Sequence, residues 1–192
     1  MRYTSVMKII SQQEYLDLEN KTEYNDFKRI ADINQVANFY KICCTHLLTT
    51  STWSGINLFY PISKISISDR YGFNVNRTAI VGDIIKIEYS SVSEFDSILY
   101  LKIDNIKQTK DDVDELFELI LKIDQKPNLG RFYSYFNFQT SCKIKVRKNI
   151  DTISIESKIN LTDYPNPFME ENNAMIAQFP WDKLIKNTLS KL

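Results

Sequence analysis

The side chains on which nucleophilic or metal chemistry would have to rest are few: one histidine, His46, and three cysteines, Cys43, Cys44 and Cys142. A single imidazole cannot supply a histidine-based metal site, and no CxxC or Cys/His ligand spacing is present. Cys43 lies three residues before His46, on the same face of an expected helix. A thiol and an imidazole placed so lack the oriented third group and the oxyanion donors that covalent catalysis uses. His46 therefore reads as a packed helix histidine, and no catalytic or metal-binding residue is assigned. The other polar groups are no more specific. Asp69-Arg70 and Asn76-Arg77 flank a turn and read as turn chemistry, with a polar mouth at the sheet edge as the alternative. Gly82-Asp83 lacks the glycine pattern, the lysine and the following helix of a phosphate loop. Glu170-Glu171 sit in a polar stretch with nothing to hold them for acid–base work. No motif calls for a cofactor, so an enzyme is the less favoured expectation.

Charge and composition narrow the partners. Lys plus Arg and Asp plus Glu both number 24, which removes the overall electrostatic argument for nucleic acid or an anionic membrane. The local cluster Lys143, Lys145, Arg147 and Lys148 reads as the solvated face of a strand. No apolar run approaches the length of a membrane span, the first residues do not read as a signal peptide, and sparse cysteines fit a reducing compartment; the expectation is cytoplasmic. At 192 residues with 43% hydrophobic content, the chain is expected to form a single domain over 1–192 around one core.

The elements that position these groups show best between Arg131 and Asp163. Phe132, Phe136, Phe138, Thr140, Cys142, Ile144 and Val146 alternate with Tyr133, Tyr135, Lys143 and Lys145, and the phase flips after Asn149 to Ile153, Ile155, Ile159 and Leu161. Period two on both arms predicts a hairpin, and pairing Val146 with Ile153 matches Ile144 to Ile155, Thr140 to Ile159 and Lys143 to Glu156. A strand running from Phe132 to Lys148 would span about 55 Å if flat, so the sheet has to bend or twist strongly.

Elsewhere, Tyr3–Ile10 is β-compatible, and Ser11 with Glu14 forms a capping box for a short helix over Gln12–Glu19. Residues 20–29 read as a polar connection. Asp32 caps a longer helix with Ile33, Val36, Ala37, Tyr40, Cys43, Cys44 and Leu47 on its apolar face. Strands are expected around Ile65–Ile67, Val75–Val81, Ile85–Tyr89 and Leu99–Ile103. Residues 113–124 fit a helix or a strand; a strand is preferred, with Lys107–Asp114 as the turn before it. Pro165-Asn166-Pro167 ends the hairpin, and Pro180 opens a final helix with Trp181, Leu184, Ile185, Thr188 and Leu189 along one stripe.

The fold class is therefore α+β: a curved antiparallel sheet of six to seven strands wrapped around a C-terminal helix, with two N-terminal helices. That order resembles the helix-grip architecture of the START and Bet v 1-like superfamily, over nearly the whole chain and at the level of topology. The run FNFQTSCKIKVRKNIDTISIESKINLTDYPN also looks like a class of uncharacterised bacterial single-domain proteins. The resemblance implies a cavity between sheet and helix that takes a small hydrophobic molecule, lined by Phe132, Phe136, Phe138, Ile155, Ile159, Trp181 and Ile185. Two other readings stand beside it. One is a protein-interaction module presenting Arg131, Tyr133 and Tyr135 on an exposed strand face. The other is a cyclase- or hydrolase-like enzyme on the same scaffold.

Overall fold

The computed structural model describes residues 22–56, 62–89, 97–111, 114–124, 140–161 and 167–191. The strand expected over Tyr3–Ile10, the helix over Gln12–Glu19, and Phe132, Phe136, Phe138, Arg131, Tyr133 and Tyr135 lie outside them. Among the described residues seven strands form one antiparallel sheet: β1 (Glu23–Arg29), β2 (Ile62–Ser68), β3 (Ile84–Tyr89), β4 (Ser97–Lys110), β5 (Glu115–Asp124), β6 (Ser141–Lys148) and β7 (Thr152–Asn160), in the order β1-β7-β6-β5-β4-β3-β2. The sheet curls into a half-barrel. Its concave side holds α1 (Ile33–Leu48), a 3-10 turn (Thr50–Ile56), α2 (Pro167–Gln178) and α3 (Trp181–Ser190). The expected α+β class and the grip of the sheet on the terminal helix are both present.

The core follows from alternation. Leu99, Leu101 and Ile103 of β4, Phe117, Leu119, Leu121 and Ile123 of β5, Cys142, Ile144 and Val146 of β6, and Ile153, Ile155 and Ile159 of β7 are all buried. One strand cannot keep its phase throughout. Between Ile103 and Asn105 the β4–β5 register shifts, so that Ile106 comes to face Leu119 and Gln108 to face Phe117. A bulge of this kind passes the inner face from odd to even residues and adds bend. Asp104, at the bulge, pairs with Lys122 at 2.9 Å.

Of the stretch that fits helix or strand alike, Glu115–Asp124 forms a strand. The turn before β5 is shorter than expected, because β4 runs on to Lys110 and the Asp111 N–H donates to the Asp114 carbonyl at 2.8 Å. The β6–β7 hairpin keeps its predicted faces but not its predicted partners. Val146 faces Ile155, Cys142 faces Ile159 and Lys145 faces Glu156, a slip of two residues. Slipping by two preserves which side is wet, so the hydrophobic pattern cannot tell the two registers apart.

Two further expectations are corrected. Residues 20–29 are not simply a connection: Glu23–Arg29 is the edge strand β1, paired with β7 through Glu23–Lys158 to Arg29–Thr152. Its inward positions, Tyr24, Asp26 and Lys28, are only one-third apolar, which hides the alternation. Val75–Val81 is not a strand. Its one isolated neighbour bridge joins Asn74 to Ser68, and the segment is clipped instead by Asp83. That buried carboxylate receives two bonds from the Arg77 guanidinium, at 2.5 and 2.9 Å, and one from the Ile80 N–H at 2.9 Å. Gly82 takes φ of 93°, a left-handed value that lets its N–H reach the Ile103 carbonyl at 2.8 Å.

Asp32 caps α1 as expected, its carboxylate accepting from the Asn34 N–H at 3.0 Å. The buried stripe is Val36, Tyr40, Cys43, His46 and Leu47. Ile33 and Ala37, both expected on that face, are exposed, Ile33 to 59% in the first turn. The residues before Phe179, whose periodicity is weak, form α2, and only Phe179 and Pro180 separate it from α3.

Candidate functional site

Trp181 opens α3 and fixes its angle. It is fully buried, its ring lies 4.4 Å from that of Phe179, and its indole N–H donates to the Ile176 carbonyl at 2.8 Å. An indole buried with its N–H satisfied contributes large apolar area without an orphaned donor. Farther along, the Thr188 hydroxyl donates to the Leu184 carbonyl at 2.8 Å and lies 2.9 Å from Nδ1 of His46. A hydroxyl has one proton, so His46 must donate from Nδ1 and carry its lone pair on Nε2. Nε2 is buried and finds no partner among the described residues. Burial and the nearby Lys191 ammonium hold His46 below the ordinary histidine range, so it is a neutral tie between α1 and α3.

The thiols are equally quiet. Burial pushes Cys43 and Cys44 up to about 12 and Cys142 well above the ordinary thiol value. A thiol held protonated is a poor nucleophile and a poor metal ligand. Among the described residues no group of three His, Cys, Asp or Glu side chains could hold a metal ion. Asp69 accepts from the Tyr71 and Phe73 N–H groups at 2.9 and 3.0 Å, so it is turn chemistry that occupies this carboxylate.

Of the residues expected to line a cavity, four can be placed, and α3 packs against β7 and β1 where they lie. Ile155 and Ile159 project from β7 into the concave side, and Trp181 and Ile185 project from α3; none is more than 3% exposed. These four are core residues. Open space begins beside them, in a groove of about 330 Å³ lined by Glu23, Tyr24, Asn25 and Asp26 of β1 and by Asp182, Ile185 and Lys186 of α3. Ile185 belongs to both the groove and the interior.

The groove is polar at its rim. Asp182 and Lys186 stand one helical turn apart, with Nζ 3.9 Å from the carboxylate, and Glu23 is ion-paired with Lys158. Tyr24 is half-buried, and its phenol is pushed up by burial first and then by the neighbouring Asp182 and Cys142. Directly across from Tyr24 on β7 is Ser157, fully buried, whose hydroxyl finds no partner among the described residues. The sequence reading missed Tyr24, Asp182 and Lys186. The usable signal was the Asp182/Lys186 pair on the shoulder of the α3 stripe.

No family model and no curated protein matches the chain. Two crystal forms of the major latex-like protein of Panax ginseng are 13% identical to it; each alignment covers 88% of this chain and 95% of the ginseng protein, with TM-scores of 0.34 and 0.33. A hypothetical protein from Helicobacter pylori is 12% identical, with 86% of each chain covered and a TM-score of 0.36. The fold class itself rests on the strand order and helix placement described above. No helix among the described residues is long and apolar enough to cross a membrane.

Proposed function

We propose that this protein binds a small, mainly apolar molecule between the sheet and α3, entering by way of the β1–α3 groove. The observation that carries the reading is the position of Ile185, which lines a groove of about 330 Å³ and also belongs to the buried core that contains Ile155, Ile159 and Trp181. That volume is at the low end of the roughly 300–1,000 Å³ typical of small-molecule sites. An apolar body would lie against Ile185, and a polar end would meet the phenol of Tyr24 and the unpaired hydroxyl of Ser157. Phe132, Phe136 and Phe138 would extend the apolar wall.

The test is native mass spectrometry of the purified protein for a co-purifying small molecule, combined with a Tyr24→Trp variant as a fluorescent reporter. Binding at the proposed place shifts the emission of the new indole when an apolar probe is titrated in. A co-purifying or added ligand that leaves that emission unchanged would place binding elsewhere, and no binding of any apolar probe would refute the reading.

A further inference from the structure

We propose that β1 is a self-complementary strand through which two copies of this chain pair edge to edge. Hydrogen bonds in an antiparallel ladder alternate, so the bonds to β7 reveal which groups of β1 are left over. The Thr22 carbonyl accepts from the Ile159 N–H at 2.8 Å, and the Ile30 N–H donates to the Asp151 carbonyl at 2.7 Å. Even-numbered residues therefore bond to β7. Glu23, Asn25, Phe27 and Arg29 turn their N–H and C=O groups away from the sheet, at its terminal strand.

An edge of this kind invites another strand, and the side chains select its register. A two-fold pair that uses the odd residues centres on one position of β1. Centred on Asp26, it sets Asp26 against Asp26; centred on Lys28, it sets Lys28 against Lys28. Centred on Phe27, it sets Asp26 of each copy against Lys28 of the other, twice. Those are non-hydrogen-bonded positions, where facing side chains approach most closely. Neither Asp26 nor Lys28 has an ion-pair partner among the described residues, whereas Glu23 and Arg29 are already paired with Lys158 and Asp151. The same register brings the two Phe27 rings, each 69% exposed in one copy, together on the convex side. Within one copy the Asp26 carboxylate accepts from the Phe27 N–H at 2.8 Å. Pairing exchanges that bond for one to the other copy and turns Asp26 toward Lys28.

A single strand pair is a small interface, so association is expected in the range of about 10 μM to 1 mM. Sedimentation equilibrium across that range should show a monomer–dimer equilibrium. Asp26→Lys alone and Lys28→Asp alone should each weaken it on the order of tenfold, and the double exchange D26K/K28D should restore it. Asn25→Pro, which removes an outward N–H without taking a bond from β7, should abolish it with an unchanged circular dichroism spectrum. A chain that stays monomeric throughout would overturn the proposal. So would a double exchange as weak as the single variants, or a dimer indifferent to Asn25→Pro.

Discussion

At the β2 edge the chain folds back over its own backbone, whereas at the β1 edge nothing among the described residues does so. Beyond β2, Asp69 and Phe73 share a backbone bond, Val75 donates to Ile67 at 3.1 Å, and Ser68 bridges to Asn74. The Asp83 carboxylate locks the return segment, and the Ala79 N–H ties it to the Leu48 carbonyl at the end of α1 at 2.8 Å. On the other flank β1 carries Asp26 and Lys28 inward, a groove separates it from Asp182 and Lys186, and its outward groups meet no further strand among the described residues. One flank is closed by hydrogen bonds of the chain to itself. The other carries charged side chains, the feature that discourages unintended edge pairing, and it is on this flank that the proposed ligand groove and the proposed pairing edge both lie.

The contrast can be tested from its strongest element downward. Trp181→Ala removes the ring that sets α3 over the open flank and should cost about 3–5 kcal/mol, measured by urea unfolding. It should also abolish any groove-bound ligand. Asp83→Ala unclips the closed flank, leaves the Ile80 N–H without its acceptor, and should cost about 1–3 kcal/mol. Hydrogen exchange should then show residues 77–82 opening before the rest of the sheet. The His46 tie adds pH dependence. Its folded pKa lies below the unfolded value, so its contribution is full above about pH 6.5 and is lost as pH falls toward the folded pKa, by up to about 1.4 kcal/mol per unit. Unfolding at pH 7.5 and 5.5 should show this slope in the wild type and a shallower one in His46→Gln. The smallest effect belongs to the open edge: Phe27→Thr should change stability by no more than about 0.5 kcal/mol, because the ring touches little in one copy.

How far these features could be read from residues alone depends on what each residue pattern encodes. Cys142, Ile144 and Val146 against Ile153, Ile155 and Ile159 reveal a hairpin and its wet side, because burial imposes period two. They cannot reveal the two-residue slip, which leaves every one of those side chains on the same side. The run from Leu116 to Ile123 was ambiguous because nearly every position is apolar; only pairing with β4 and β6 decides it. Val75–Val81 alternates plausibly, yet one buried carboxylate on Asp83 overrides it. β1 escaped notice because an edge strand with charges on its inner face has no hydrophobic rhythm to detect. The candidate site divides along the same line. Ile155, Ile159, Trp181 and Ile185 stand out by their apolar spacing, and all four are buried. Tyr24, Asp182 and Lys186 border the open space, and a border between two distant segments has no local signature.

The pairing of β1 with β7 also has a consequence in time. Glu23 meets Lys158, 135 residues later. At roughly 5–20 residues per second, a ribosome needs on the order of ten seconds to supply the partner of β1 after β1 itself has been made. For that interval both edges of Glu23–Arg29 are unclaimed. Its charged side chains, Glu23, Asp26, Lys28 and Arg29, then disfavour unintended pairing of the nascent strand, long before Glu23 and Asp26 border a groove.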